Sequence, residues 1–312
     1  MDEQSDKQKF AEWPTWVVLI ACYVCWLVLL FQHQQIGPLW VVPTVLLVTL
    51  HSSLQHEMLH GHPTKNRTFN ELLVFPAIGL LVPYRRFRDL HLKHHRNEKL
   101  TDPYDDPESW YLTESDWQKK SRLLQTLLKL NSTLTGRILI GPVLSMIAFL
   151  RDDIQAIARG DRAVSVAWLM HIIGLVPVLV ILANAKISVW FYLVAIAYPA
   201  MSVLMIRTFI EHRASEQVSH RTAVVEAGKL MSLLFLNNNL HAVHHRYPSL
   251  SWHRLPAKWQ QNKSNILKEN SDYHFPKGYL SIAGRWLFST REPVIHPLSG
   301  HSQPISQRDG VN

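Results

Sequence analysis

The sequence predicts an all-α integral membrane fold: four transmembrane helices in two hairpins, with a helical cytoplasmic cap holding a dimetal site. Three observations predict it. Long uncharged apolar runs alternate with very polar stretches, although the mean hydropathy of the 312-residue chain is −0.03. Of 32 Lys and Arg residues, 31 fall on one side of those runs. Eight histidines form three clusters at helical spacing, and every cluster ends on that same side. They are His56 and His60 in HEMLHGH, His91, His94 and His95 in HLKHH, and His241, His244 and His245 in HAVHH.

The first apolar run, Trp16 to Phe31, carries no charge and opens on Trp13 and Trp16, as an interfacial aromatic belt would. Its leader MDEQSDKQKF holds as many acids as bases and no small-residue cleavage site follows, so a retained helix is expected rather than a signal peptide. The second run starts at Leu39 and spans only if it continues to the first histidines. Val164 to Ala183 and Ile187 to Ile206 are long enough without help, since a crossing takes about 20 residues. The expected spans are thus about 15–31, 39–59, 164–183 and 187–206. They belong to one membrane domain, 15–296, whose cap comprises 60–163 and 207–296. Residues 1–14 form a cytoplasmic tail, and the polar residues 297–312 a disordered one.

The loops Gln32 to Pro38 and Asn184 to Lys186 hold a single Lys between them. Taking both as external puts the remaining Lys and Arg in the cytoplasm, which accounts for the net charge of +8. The basic residues form no single helix or tail, so nucleic acid is not an expected partner. A bacterial inner membrane, with both termini and the metal site cytoplasmic, is the expected location. Two shorter apolar stretches, Leu72 to Pro83 and Ile138 to Leu150, each hold a proline and a glycine. They read as interfacial or re-entrant helices, or as buried faces of cap helices. Cys22 and Cys25 fall inside the first span, where packing is the expected role of C-x-x-C.

Neutral imidazole is the commonest metal ligand, and residues three and four apart share a helix face. With His212 in FIEHR, just past the fourth span, the clusters offer nine nitrogen donors. One metal would be over-supplied, whereas two metals with four or five ligands each fit the count. Imidazole does not choose among zinc, copper, iron and nickel. A nitrogen-rich site beside apolar substrate suits iron and oxygen chemistry. HEMLH also spells the zinc protease signature with Glu57 as general base. A zinc-dependent intramembrane protease would leave both H-x-x-H-H clusters unexplained. With two metals, Glu57 is expected to orient an imidazole.

The three boxes HEMLH, HLKHH and HAVHH, spanning 56–245, resemble those of the membrane fatty acid desaturase superfamily. The contexts RTFIEHR, NNNLHAVHHRYPSLSWHRLP and TDPYDDPES are similar to bacterial fatty acid desaturases of the dihydrorhizobitoxine desaturase type. The resemblance implies four membrane helices under a cytoplasmic cap with two irons. By position its ligands are His56, His60, His91, His94, His95, His212, His241, His244 and His245. His62 is a further candidate, more readily read as a loop residue. Thr208 stands where acyl-CoA desaturases of the superfamily carry an asparagine that assists a metal through water. The implied reaction uses O2 to introduce a double bond into an acyl or alkyl chain, or, alternatively, to hydroxylate or form a ketone on a lipid or carotenoid. No fused donor domain is visible, although HPLSG at His296 resembles a haem-binding HPGG. Electrons are expected from a separate ferredoxin, rubredoxin or cytochrome b5 type protein.

Several polar residues carry two readings. The acidic turn Asp102, Asp105, Asp106 and Glu108 either pairs with nearby arginines or supports the second box. Asn237, Asn238 and Asn239 either orient the third box or start its helix. Arg85, Arg86, Arg88 and Lys93 read as a solvated basic face. His51 is expected to line a polar path, His171 to be neutral and hydrogen-bonded within the third span, and His220, His253, His274, His296 and His301 to lie in the cap or at its surface.

Overall fold

In the computed structural model, which describes residues 12–298, four helices are long and apolar enough to cross a membrane. They are Trp13–Phe31, His33–Leu59, Arg162–Asn184 and Val189–Glu211. Most of the disordered tail expected at 297–312, His301 within it, and most of the tail at 1–14 lie outside the described residues.

The first span buries Thr15, Leu19, Cys22, Trp26 and Leu30 on one stripe, at helical spacings of four and three. Val17, Ile20, Val24 and Val28 face outward, an apolar surface suited to lipid. Cys22 Sγ donates to Leu47 O at 3.4 Å while Cys25 is exposed, and both thiols are free. Cys22 thus fills the packing role expected of the pair, while Cys25 lies on the outer face. The second span begins earlier than expected. Gln32 to Pro38 is not an open loop: short helical turns at His33–Ile36 and Gly37–Trp40 lead into Val41–Leu59. Pro38 falls in the first turn of its segment, where its missing N–H costs nothing.

The third span starts where Asp161 accepts hydrogen bonds from Ala163 N and Val164 N. The fourth contains a π-helical stretch, Leu193–Ala197, that ends two residues before Pro199. All four spans meet in one apolar core that includes Trp26, Val48, Val178, Leu182, Tyr192 and Ile196.

The segment Phe75 to Pro83 is largely irregular rather than helical, and it lodges against the spans. Irregular backbone away from water needs internal partners. Ala77 N donates to Gly174 O (3.1 Å), Tyr192 OH to Ile78 O (2.9 Å), and His171 Nε2 bonds Leu80 O (2.9 Å). A Cβ on Gly174 would stand 2.6 Å from Phe75 O, so only glycine permits this approach. His171 therefore fills the hydrogen-bonded role expected of it. Ile138 to Leu150 resolves into the end of Leu134–Leu139 and the start of Gly141–Ala158. That second helix packs on the third and fourth spans and turns Val143, Ile147, Leu150, Ile154 and Ile157 outward.

The rest of the cap joins short helices by irregular segments, and it contains a short parallel pair, Val224–Val225 with His274–Phe275. The pair sets the backbone beside the third histidine box: Val225 N donates to Asn239 O, and Ala242 N to Ala223 O, each at 2.9 Å.

Candidate metal centre

His56 and His60 end the second span, and His212 follows the last residue of the fourth. His91 and His94 lie in the cap helix Tyr84–His94 with His95 as its cap, and the third box opens His241–Arg246. The structure brings all nine expected histidines together in two groups. His56, His60, His91, His95 and His244 form one; His94, His212, His241 and His245 form the other. Within each group the ring nitrogens that face one another all lie within 4.8 Å.

Helical geometry explains the division. At about 100° per residue, positions i and i+4 diverge by only about 40°, while i+3 points well to one side of i+4. The outer pair of HLKHH therefore enters the five-histidine group and His94 the other. HAVHH does the reverse: His241 and His245 enter the four-histidine group and His244 crosses over. The second and third boxes thus each supply both groups, while His56 and His60 of the first serve the five-histidine group alone.

The Nε2 atoms converge. His56 to His91 is 3.0 Å, His91 to His95 2.9 Å, and His95 to His244 3.0 Å. In the second group His94 to His212 and His212 to His241 are 3.0 Å, and His241 to His245 3.1 Å. The opposite ring nitrogens meet acceptors. His91 Nδ1 bonds Glu108 Oε1 at 2.9 Å, His94 Nδ1 bonds Asp106 Oδ1 at 2.8 Å, and His241 Nδ1 bonds Asn238 Oδ1 at 2.9 Å. An ionised carboxylate only accepts, so His91 and His94 each carry a proton on Nδ1, and whenever the ring is neutral its Nε2 lone pair faces inward. Lone pairs 3 Å apart repel unless a cation lies between them. His60 Nε2 is buried and has no hydrogen-bond partner at all. Nitrogens bound at right angles to an ion at about 2.1 Å would stand about 3.0 Å apart, which is the spacing seen. The donor set therefore fits two metal ions.

The electrostatics point the same way. Burial, reinforced by the neighbouring imidazoles, pushes His241, His244 and His245 far below the ordinary histidine range, which keeps them neutral and able to ligate. Burial, then His91 and His94, takes His95 down to about 3. Burial would lower His94 too, but the Glu108 and Asp106 carboxylates raise it to about 9. Burial alone would raise Glu108, yet His94 and His91 hold its carboxyl below the usual range. This side of the centre attracts positive charge.

Glu57 turns away from the imidazoles. Its Oε1 accepts from Trp252 N at 3.0 Å, and it groups with Glu12 and His62 instead. Adjacent helical residues diverge by about 100°, so Glu57 cannot share the face of His56. His62 is held by Ser249 O at 3.1 Å and faces Ser251 Oγ and Glu12, away from the nine. Thr208 makes only a weak contact to Met205 Sδ (3.8 Å). The nearby side-chain amide is that of Asn238, which also stands 3.4 Å from His56 Nε2 and so touches both groups. In the acidic turn, Asp106 and Glu108 support histidines, Asp105 pairs with Lys99, and Asp102 caps its own turn. His51 lines the cavity described next and bonds Tyr23 OH. The expected solvated basic face is mostly paired: Arg85 bonds Glu71, and Arg86 makes a two-oxygen bond to buried Asp153. His296 is buried, close to Thr101 Oγ1.

A cavity of about 600 Å³ runs from apolar side chains of the second and fourth spans, such as Val48, Ala200 and Leu204, to His56, His91 and His212. It joins an apolar channel to both histidine groups. The fatty acid desaturase family profile matches residues 37–277, which takes in all nine histidines and three of the spans. The chain belongs to the fatty acid desaturase family. Comparison with curated proteins and with solved structures gave no match. Membership makes the chain a desaturase-type oxidoreductase acting on lipid chains in a membrane, with a metal-dependent centre.

Proposed function

We propose that this desaturase family member holds two iron ions and uses O2 to introduce a double bond into an acyl or alkyl chain. The observation that carries the reading is the convergence of nine inward-facing imidazoles at the end of an apolar cavity. His56, His60, His91, His95 and His244 would hold one ion, and His94, His212, His241 and His245 the other. Bound iron supplies the activation of O2 and the removal of hydrogen from an unactivated C–H bond. The balance is a CH2–CH2 unit, O2, two electrons and two protons giving an alkene and two waters. The electrons come from a separate donor protein of ferredoxin, rubredoxin or cytochrome b5 type.

The protein's own part is orientation and exclusion of water. The cavity walls hold the chain extended past His56, His91 and His212, and apolar lining keeps the reacting carbons dry. Asp106, Glu108 and Asn238 fix the imidazole rings from behind. The charge asymmetry supports a cytoplasmic centre, where a soluble donor has access. A zinc protease using HEMLH is disfavoured because Glu57 faces Trp252 rather than the imidazoles.

Metal analysis of the detergent-purified chain is expected to give about two irons per protein; one zinc and no iron would overturn the proposal. Mass spectrometry of lipids from cells with and without the protein is expected to show loss of two hydrogens. Gain of one oxygen would assign a hydroxylase instead.

A further inference from the structure

Arg137 is 6% exposed and lines the cavity, yet no carboxylate among the described residues lies within 4 Å of it. Its Nε donates to Asn131 O at 3.1 Å, and Trp110 stacks on its guanidinium plane with the ring centre 3.6 Å away. Nη1 is buried without a hydrogen-bond partner. Beside it, Asn131 is 3% exposed and its Oδ1 is also unpartnered. The position is built rather than incidental. Gly136 lets the helix Leu134–Leu139 close on the preceding turn: a Cβ there would stand 1.9 Å from Leu130 O. Gly141 is packed by both Arg137 and Asn131, each about 3.1 Å from where a Cβ would be.

The cavity does contain acids, but each is engaged elsewhere. Glu108 and Asp106 hold His91 and His94, Glu292 accepts from Tyr111 OH, Asp153 holds Arg86, Asp152 pairs with Arg151, and Glu211 stands 3.3 Å from Arg207 and His241. A second cation, the partly exposed Arg291, lines the same space, and its fork is spent on Tyr273 OH and His212 O. Burial, with Arg291 nearby, lowers Arg137 to about 9, so it still carries its charge at neutral pH. A buried charge is costly unless paired. A guanidinium with its face covered and its outer edge free is shaped to receive a planar or tetrahedral oxyanion in its plane.

Resting on the lipid-oxidation reading, we infer that the substrate carries an anionic oxygen group, a carboxylate or a phosphate, which enters the cap and docks on the free Nη1 of Arg137. The chain then runs from this anchor past the histidine groups. Neutral esters and alcohols of the same chain length leave Arg137 unpaired and bind poorly.

The test uses the full chain in detergent, as purified and after metal removal, with four C16 probes: palmitate, hexadecyl phosphate, methyl palmitate and hexadecanol. Palmitate or hexadecyl phosphate, or both, should bind at least tenfold tighter than the neutral pair, and whichever leads identifies the oxyanion. Arg137→Met should lose at least tenfold in affinity for the anion and nothing for methyl palmitate; Arg137→Lys, keeping charge without the fork, should fall between. Equal binding of charged and neutral probes to the unaltered protein overturns the inference, and needs no variant to fold. So does unchanged anion affinity in Arg137→Met. Anion-selective binding with no oxidised product in cells would instead count against the oxidation reading alone.

Discussion

Two groups of potential ligands share the segment His56 to His62, and they differ in what their donor atoms already touch. Glu12, Glu57 and His62 are as tightly gathered as either histidine group. Their atoms, however, have partners: Trp252 N on Glu57, Ser249 O on His62, and the Ser251 hydroxyl donating to Glu12. Opposite charges and hydrogen bonds close that cluster, and it ties the start of the first span to the cap. The nine imidazoles turn ring nitrogens on one another within 4.8 Å in each group, and the buried His60 Nε2 has no partner. Proximity of ligating residue types is common to both; unanswered lone pairs belong to one. The second property is what identifies a cation site.

The largest break in this comparison comes from removing a ligand. His94→Ala or His244→Ala should lower lipid oxidation by about a hundredfold or more, read as product per chain, together with a lower iron content. Full activity in either variant removes that residue from the ligand set. Stripping metal with a chelator should come next. The stripped protein should melt at least about 5 °C lower, because binding to the folded state alone stabilises it, and re-added iron should restore the melting point. An unchanged melting curve would mean that the imidazoles tolerate one another without an ion. Asp106→Asn keeps shape but weakens the hold on His94, and should cost about 10–100-fold in metal affinity or activity. Glu57→Gln should do least. Its amide oxygen can still accept from Trp252 N, so activity should stay within about twofold and stability within about 1 kcal/mol. Complete loss of activity at full iron content would return Glu57 to a direct chemical role.

Much of this was legible in the sequence. Helical spacing gave the faces of the histidine boxes, and the count of nine required two centres. The division into five and four follows from the same geometry once the second and third boxes are each allowed to serve both. The angle between His56 and Glu57 was legible too, since neighbouring positions on a helix cannot share a face. Other features depend on distant partners. TDPYDDPES could pair with arginines or with histidines, and the fold uses it for both a Lys99 bridge and the His91 and His94 supports. The irregular course of Phe75 to Pro83 is stabilised by Gly174, Tyr192 and His171 about 90–115 residues away. The isolation of Arg137 consists of missing neighbours, which no local pattern encodes.

The sharing of boxes between the two groups bears on how the protein is made. Synthesis delivers His56 to His95 first, then two membrane crossings, then His212 to His245. The five-histidine group lacks His244 until near the end, and the four-histidine group has only His94 before the fourth crossing is finished. Neither half of the chain encodes a complete centre. A metal ion at the four-histidine group would therefore find its full ligand set only after the last crossing has been made.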